Sequence, residues 1–209
     1  MTRIAHDERL ALCDLFEQLG PDAPTLDDPW RTRDLAAHLL VRERHPSVLG
    51  VRIKALAGWT EHTQQSYARR PFDELVAMVR SGPPLWSPFS LPPVEGFLNT
   101  TEFFVHHEDV RRAQPDWSPR ALHAKVEDTL WRIVKGRARL AFWNARTGVR
   151  LVRETGETYT AKSGDPAVTM TGGPQELMLY VFGRIEHALV DVGGDPAAVS
   201  AFRGTDLQV

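Results

Sequence analysis

VEGFLNTTEFFVHHEDVRRA, residues 94–113, is the stretch on which the fold turns. It follows a proline pair and reads as the strongest helix in the chain. Leu98, Glu102, Val105, His106 and Asp109 fall on one side, with Phe97, Thr101 and Phe104 supplying adjacent apolar contacts. A carboxylate and an imidazole in the middle of an apolar stripe conflict with simple core packing, because a buried polar group is costly unless it finds a partner. Glu102 and His106 are one helical turn apart on one face, so a single ligand could satisfy both.

Working outward, the preceding segments read as further helices. Residues 3–19 carry Ile4, Glu8, Leu12, Leu15, Phe16 and Leu19 at helical spacing and stop at Gly20-Pro21. Thr32 is expected to cap the next helix, with Asp34 in its first turn and an end near His45, before Pro46. Leu35, His38, Leu39 and Arg42 share one of its faces. Residues 46–58 are weakly patterned. Thr60 is expected to cap a short helix reaching about Arg70, and Phe72–Arg80 forms another. Trp86–Pro93, rich in proline and aromatics, reads as an ordered loop. Pro119–Trp143 is expected to be a long helix carrying Leu122, Val126, Leu130, Ile133 and Val134.

After Asn144 the period changes from helical to alternating. Gly148–Thr155, Thr158–Ala161 and Val168–Thr171 are short, β-branched and bounded by Gly, Asp or Pro, with Gly156-Glu157 as a tight turn. Pro174–Phe182 reads as a helix, Ala188–Val192 as a strand, and Pro196–Phe202 as a last helical segment. The fold class is therefore α+β: a helical-bundle domain over 1–143, followed by a small α+β domain over 148–209.

The 209 residues are 42% hydrophobic, enough for a core, and carry a net charge of −2. That balance leaves no electrostatic footprint for nucleic acid. No apolar run approaches the roughly 20 residues of a membrane span. Cys13 is the single cysteine, so no intrachain disulfide can form, and a reducing, cytoplasmic setting is expected. The charged start, without a signal-peptide core, fits that expectation. Cys13 itself reads as a small buried hydrophobe.

His38, Glu102 and His106 together are two imidazoles and a carboxylate, the ligand set of an open zinc-type site. In helical bundles such sites are built from inward-facing groups on facing helices. A Glu-x-x-x-His pair equally describes an interhelical or surface ion pair, and His38 equally describes a satisfied, partly buried histidine. His107, rotated about 100° from His106, should point away from the site. Asp109 can orient the His106 ring or pair with Arg112. His45, His62, His123 and His187 have no helical partner at ligand spacing.

WRTRDLAAHL, residues 30–39, resembles the second-helix motif of the mycothiol-dependent maleylpyruvate isomerase and DinB-like metalloenzyme superfamily. EFFVHHED, residues 102–109, resembles its other ligand helix. The order of elements is similar too: a DinB-like four-helix bundle, then a small sterol-carrier-like domain. The resemblance is to a metal-binding branch of the group rather than to the isomerase itself. It implies that His38, Glu102 and His106 bind a divalent metal, usually zinc, and that mycothiol is the co-substrate. It also implies a catalytic role for Arg184, which follows the apolar 177–182 helix, although a surface Arg at a helix end would look the same.

Two functions follow as expectations. In the first, the metal takes up a low-molecular-weight thiol in deprotonated form, and the thiolate attacks a small electrophilic substrate in a transfer or isomerisation. Arg184 would then hold a substrate carboxylate. In the second, the protein is a non-catalytic binding module for a small ligand, with a structural or vestigial metal.

Overall fold

In a computed structural model, described over residues 3–45, 57–91 and 95–205, the chain divides into two compact units, Met1–Pro119 and Arg120–Val209. The first is helical. Its helices are α1 (Arg3–Leu19), α2 (Thr32–Arg44), α3 (Ala57–Ala68), α4 (Phe72–Arg80) and α5 (Thr100–Arg112). α1 packs on α5 and α4, and α2 packs on α4 and α3. Leu12, Cys13 and Phe16 of α1 meet Leu35, Leu39 and Leu40 of α2, Leu75 and Val79 of α4, and Phe103 and Val110 of α5, all without solvent exposure. Each buried Leu or Phe contributes about 1.5–3 kcal/mol relative to exposure, so this core is what holds the site helices in register.

Local chemistry shifts several expected boundaries. Thr32 is the first helical residue rather than the cap: the Arg31 amide donates to Asp34 Oδ2 at 2.9 Å, which starts α2 one residue earlier than expected. The Thr32 hydroxyl donates instead to the Gly20 carbonyl and pins the preceding loop. Thr60 lies inside α3, not at its cap. Residues 46–56, the weakly patterned stretch, lie outside the described residues. The expected continuous helix from Val94 is instead a π turn, Glu95–Asn99, running into α5. Phe97 and Leu98 sit in that turn and are exposed rather than packed. Residues 85–91 form turns and a short 3-10 segment, Pro88–Ser90, whose start is capped by the Ser87 hydroxyl accepting from the Phe89 amide.

The second unit contains α6 (Ala124–Ala141), strands β1 (Gly148–Val152), β2 (Thr158–Lys162), β3 (Ala167–Thr171) and β4 (Asp191–Gly193), and helices α7 (Pro174–Val181) and α8 (Pro196–Arg203). The sheet order is β2-β1-β3-β4, antiparallel at both edges and parallel between β1 and β3. Val149 and Leu151 of β1 and Val168 and Met170 of β3 point into the core, as the alternating pattern requires. Gly156 takes φ +87° in the β1–β2 turn, a conformation that favours glycine.

α6 corrects the domain boundary. The sequence pattern places it in the helical bundle, with a division near residue 143. In the structure it groups with the sheet, because its apolar face (Leu130, Trp131, Ile133, Val134, Ala138) packs on α7 and β2. It also starts later than Pro119, at a His123 cap whose Nδ1 accepts from the Lys125 amide at 3.3 Å. Arg153, at the end of β1, reaches back to Asp128 of α6 at 2.8 Å. The expected strand from Ala188 is displaced to Asp191, since the Leu189 amide donates to the buried Glu176 carboxylate at 2.9 Å instead of to a neighbouring strand.

Candidate metal centre

Two helices and one loop bring the polar groups together. His38 sits midway along α2, and Glu102 and His106 lie a turn apart on α5. Glu102 Oε1 lies 3.1 Å from His38 Nε2 and 3.3 Å from His106 Nε2. The two imidazole rings stand edge to face with centroids 5.4 Å apart. Their neighbours fix them. The Trp30 ring packs on His38 at 5.0 Å, and Asp109 Oδ2 accepts from His106 Nδ1 at 2.9 Å. A proton held on Nδ1 by Asp109 leaves the Nε2 lone pair of a neutral His106 facing Glu102 and His38.

The loop supplies Asp27. The Leu26 amide donates to the Asp109 carbonyl at 3.1 Å, anchoring the loop to α5. Asp27 Oδ2 then lies 3.6 Å from His106 Nδ1. Two groups of candidate ligand atoms result, His38/Glu102/His106 and Asp27/His106/Asp109, each with its atoms within 4.8 Å of one another. The first fits a metal better. Bonds of roughly 2.0–2.1 Å in tetrahedral array separate the ligand atoms by about 3.3–3.4 Å, close to the two contacts at Glu102 Oε1. In the second, Asp109 already occupies His106 Nδ1.

The electrostatics are those of a compact charge network. For His106, burial is the largest single influence and pulls its pKa down. Hydrogen bonds to Asp109 and Glu102, with their charges, outweigh it and push the value up to about 10 in the metal-free protein. Burial likewise raises Glu102, but hydrogen bonds from His106 and His38 and the charge of Arg42 hold it well below the usual carboxylate range.

His107 turns away, as the helical rotation requires. It is buried against α1, with Nδ1 2.7 Å from Glu8 Oε2. Arg112 Nε donates to Glu108 Oε2 at 2.7 Å, and Asp109 Oδ2 lies on His106 Nδ1 at 2.9 Å. Arg184 lies in the second unit just after α7, and its Nη1 donates to the Phe182 carbonyl at 2.8 Å. Cys13 is fully buried, and burial pushes its thiol up to about 12.

Sequence reasoning missed Arg42 and Asp27. Arg42 Nε lies 3.2 Å from Glu102 Oε2, and its position one turn after His38 was a usable signal. Asp27 sits in an irregular loop, and no local pattern marks it.

No known family profile matches the sequence, and no curated protein matches it. Among solved structures, that of the mycothiol-dependent maleylpyruvate isomerase is similar at 14% identity, with a TM-score of 0.61 over 92% of this chain and 91% of that one. A histidine-to-alanine mutant of the same isomerase gives 13% identity and the same TM-score and coverage. No helix among the described residues is long and apolar enough to cross a membrane. The chain thus shares the fold of the mycothiol-dependent maleylpyruvate isomerase.

Proposed function

We propose that this protein binds a divalent metal, best fitted by zinc, through His38 Nε2, Glu102 Oε1 and His106 Nε2. We further propose that it uses that metal in a thiol-dependent transfer or isomerisation of a small electrophile, with a mycothiol-type thiol as co-substrate. The carrying observation is the convergence of two imidazoles on a single carboxylate oxygen at 3.1 and 3.3 Å, from helices held by a shared core. The first unit is read as the DinB-like bundle and the second as the sterol-carrier-like domain.

The metal would supply a positive centre at which a thiol ionises near neutral pH. The chain's own groups do the rest. Asp109 holds a proton on His106 Nδ1 and so presents Nε2. Trp30 fixes the His38 ring. His38, Glu102 and His106 would hold the ion and would leave it able to take up the thiol. The thiol must come from outside, because Cys13 is buried in the core and stays protonated up to about pH 12. The resemblance to the isomerase group suggests Arg184 as a carboxylate-binding group, and Arg184→Ala tests that role separately.

A second reading draws on the same contacts. Glu102 can accept from both imidazoles and from Arg42, which would make the cluster a closed ion network in a non-catalytic binding module. Elemental analysis of the purified protein, with thiol-dependent turnover of an electrophile panel, separates the two. The expected result is stoichiometric metal and turnover in wild type, with both lost in His38→Ala. Equal turnover in the two proteins, or a wild type that takes up no divalent metal, would sink the metalloenzyme reading.

A further inference from the structure

We infer that Arg42 is a positioning residue that restricts Glu102 to one oxygen at the metal and thereby keeps a coordination position open. The inference rests on the metal reading above and adds a device to it. The two carboxylate oxygens of Glu102 are sorted. Oε1 faces His38 and His106, while Oε2 is held by Arg42 Nε at 3.2 Å. A carboxylate free at both oxygens can ligate through both, which raises the coordination number and fills the place a thiol or substrate needs.

Arg42 is itself fixed on three sides. Its Nη1 donates to Asn99 Oδ1 at 2.8 Å, and its guanidinium lies over the Phe89 ring at 4.2 Å. Asn99 is fully buried, and its Nδ2 donates to the Phe89 carbonyl at 3.0 Å. The π turn at 95–99 ends on Asn99, the residue that receives Arg42 just before the helix that carries Glu102. Single-turn π segments of this kind often mark functional sites. A planar guanidinium can serve Glu102 and Asn99 together, which a lysine ammonium at the same place could not do with the same geometry.

The experiment uses the full chain loaded with cobalt(II), whose visible absorption is intense in four-coordinate sites and weak at higher coordination. Wild type and Arg42→Met are compared at full cobalt occupancy, and affinity is measured by competition with a chelator. The expected result is a band several-fold weaker in Arg42→Met, with affinity changed by about 10- to 100-fold, the usual effect of removing a partner behind a metal ligand. An unchanged band and affinity would overturn the role of Arg42 while leaving the metal reading intact. No cobalt uptake by wild type would overturn both. If Arg42→Met does not fold, Arg42→Ala decides: it removes Nε from Glu102 Oε2 and leaves room for solvent beside Asn99, and a wild-type band in that variant overturns the inference.

Discussion

His106 and His107 are neighbours in sequence and opposites in environment. His107 is buried with one carboxylate, Glu8, on the facing helix at 2.7 Å. His106 retains 12% side-chain exposure and is contacted by Glu102, Asp109 and Asp27, with a second imidazole edge-on. One pair of opposite partners is what a fold needs to tolerate a buried imidazole. Several acidic groups gathered around two imidazoles, with one cation on the far carboxylate oxygen, exceed that need. Excess of ligand-type groups, beyond mutual satisfaction, distinguishes a candidate site from a structural pair.

The comparison can be broken most decisively by removing one histidine on each side. His38→Ala should abolish metal uptake, because two remaining ligands cannot hold the ion against solvent, and should leave the metal-free fold intact. His107→Ala should do the reverse. It keeps the metal but removes the hydrogen bond that His107 makes to Glu8 Oε2 at 2.7 Å in the interior, at a cost of about 1–3 kcal/mol. Chemical denaturation and elemental analysis on both variants check this. A destabilised His38→Ala with full metal, or a His107→Ala protein without metal, would invert the assignment.

Much of this contrast was legible in the sequence, for a definite reason. The spacing of Glu102 and His106, and the 100° rotation to His107, follow from helix geometry alone. His38 was visible as a polar group in an apolar stripe. Arg42 was on the right face, yet an Arg near a helix end is ordinarily solvated, and only tertiary structure shows it on Glu102. Asp27 depends on a loop hydrogen bond to α5 that no local pattern encodes. The π turn before α5 reads as plain helix in the sequence, since a 3.6-residue period cannot report one widened turn. The pattern of α6 marks it as a helix but not its neighbours, because an apolar face does not name what will cover it.

Asp109 sharpens the comparison with a smaller effect. Its carboxylate is fully buried on His106 Nδ1 at 2.9 Å, and it favours the ring arrangement that turns Nε2 toward the other ligands. Asp109→Asn preserves shape but can donate toward Nδ1 instead of accepting from it, which favours the tautomer with its proton on Nε2. Metal affinity should fall about 10- to 100-fold, measured by chelator competition. An affinity within error of wild type would mean that the His106 ring is oriented by packing alone.

A further test is stability against pH in the metal-free protein. The folded pKa of His106 is raised to about 10 from an ordinary value near 6.5. A raised value means that the folded state holds the proton more tightly than the unfolded chain. Its contribution to stability is therefore complete below about pH 6.5 and is lost as pH rises through about 10. Glu102 works in the opposite sense: its lowered value stabilises above the ordinary carboxylate range and is lost only as pH falls through that depressed value. Denaturation midpoints of chelator-treated protein should decline from pH 6.5 to 10, and Asp109→Asn should flatten the decline. Metal reverses the preference at the same nitrogen, since a ligand imidazole must give up its Nε2 proton. Adding the ion near neutral pH should release protons, and affinity should weaken as pH falls. A metal-free protein with no alkaline decline would show that His106 is already neutral in the fold, and that Glu102 and Asp109 serve only to aim its ring.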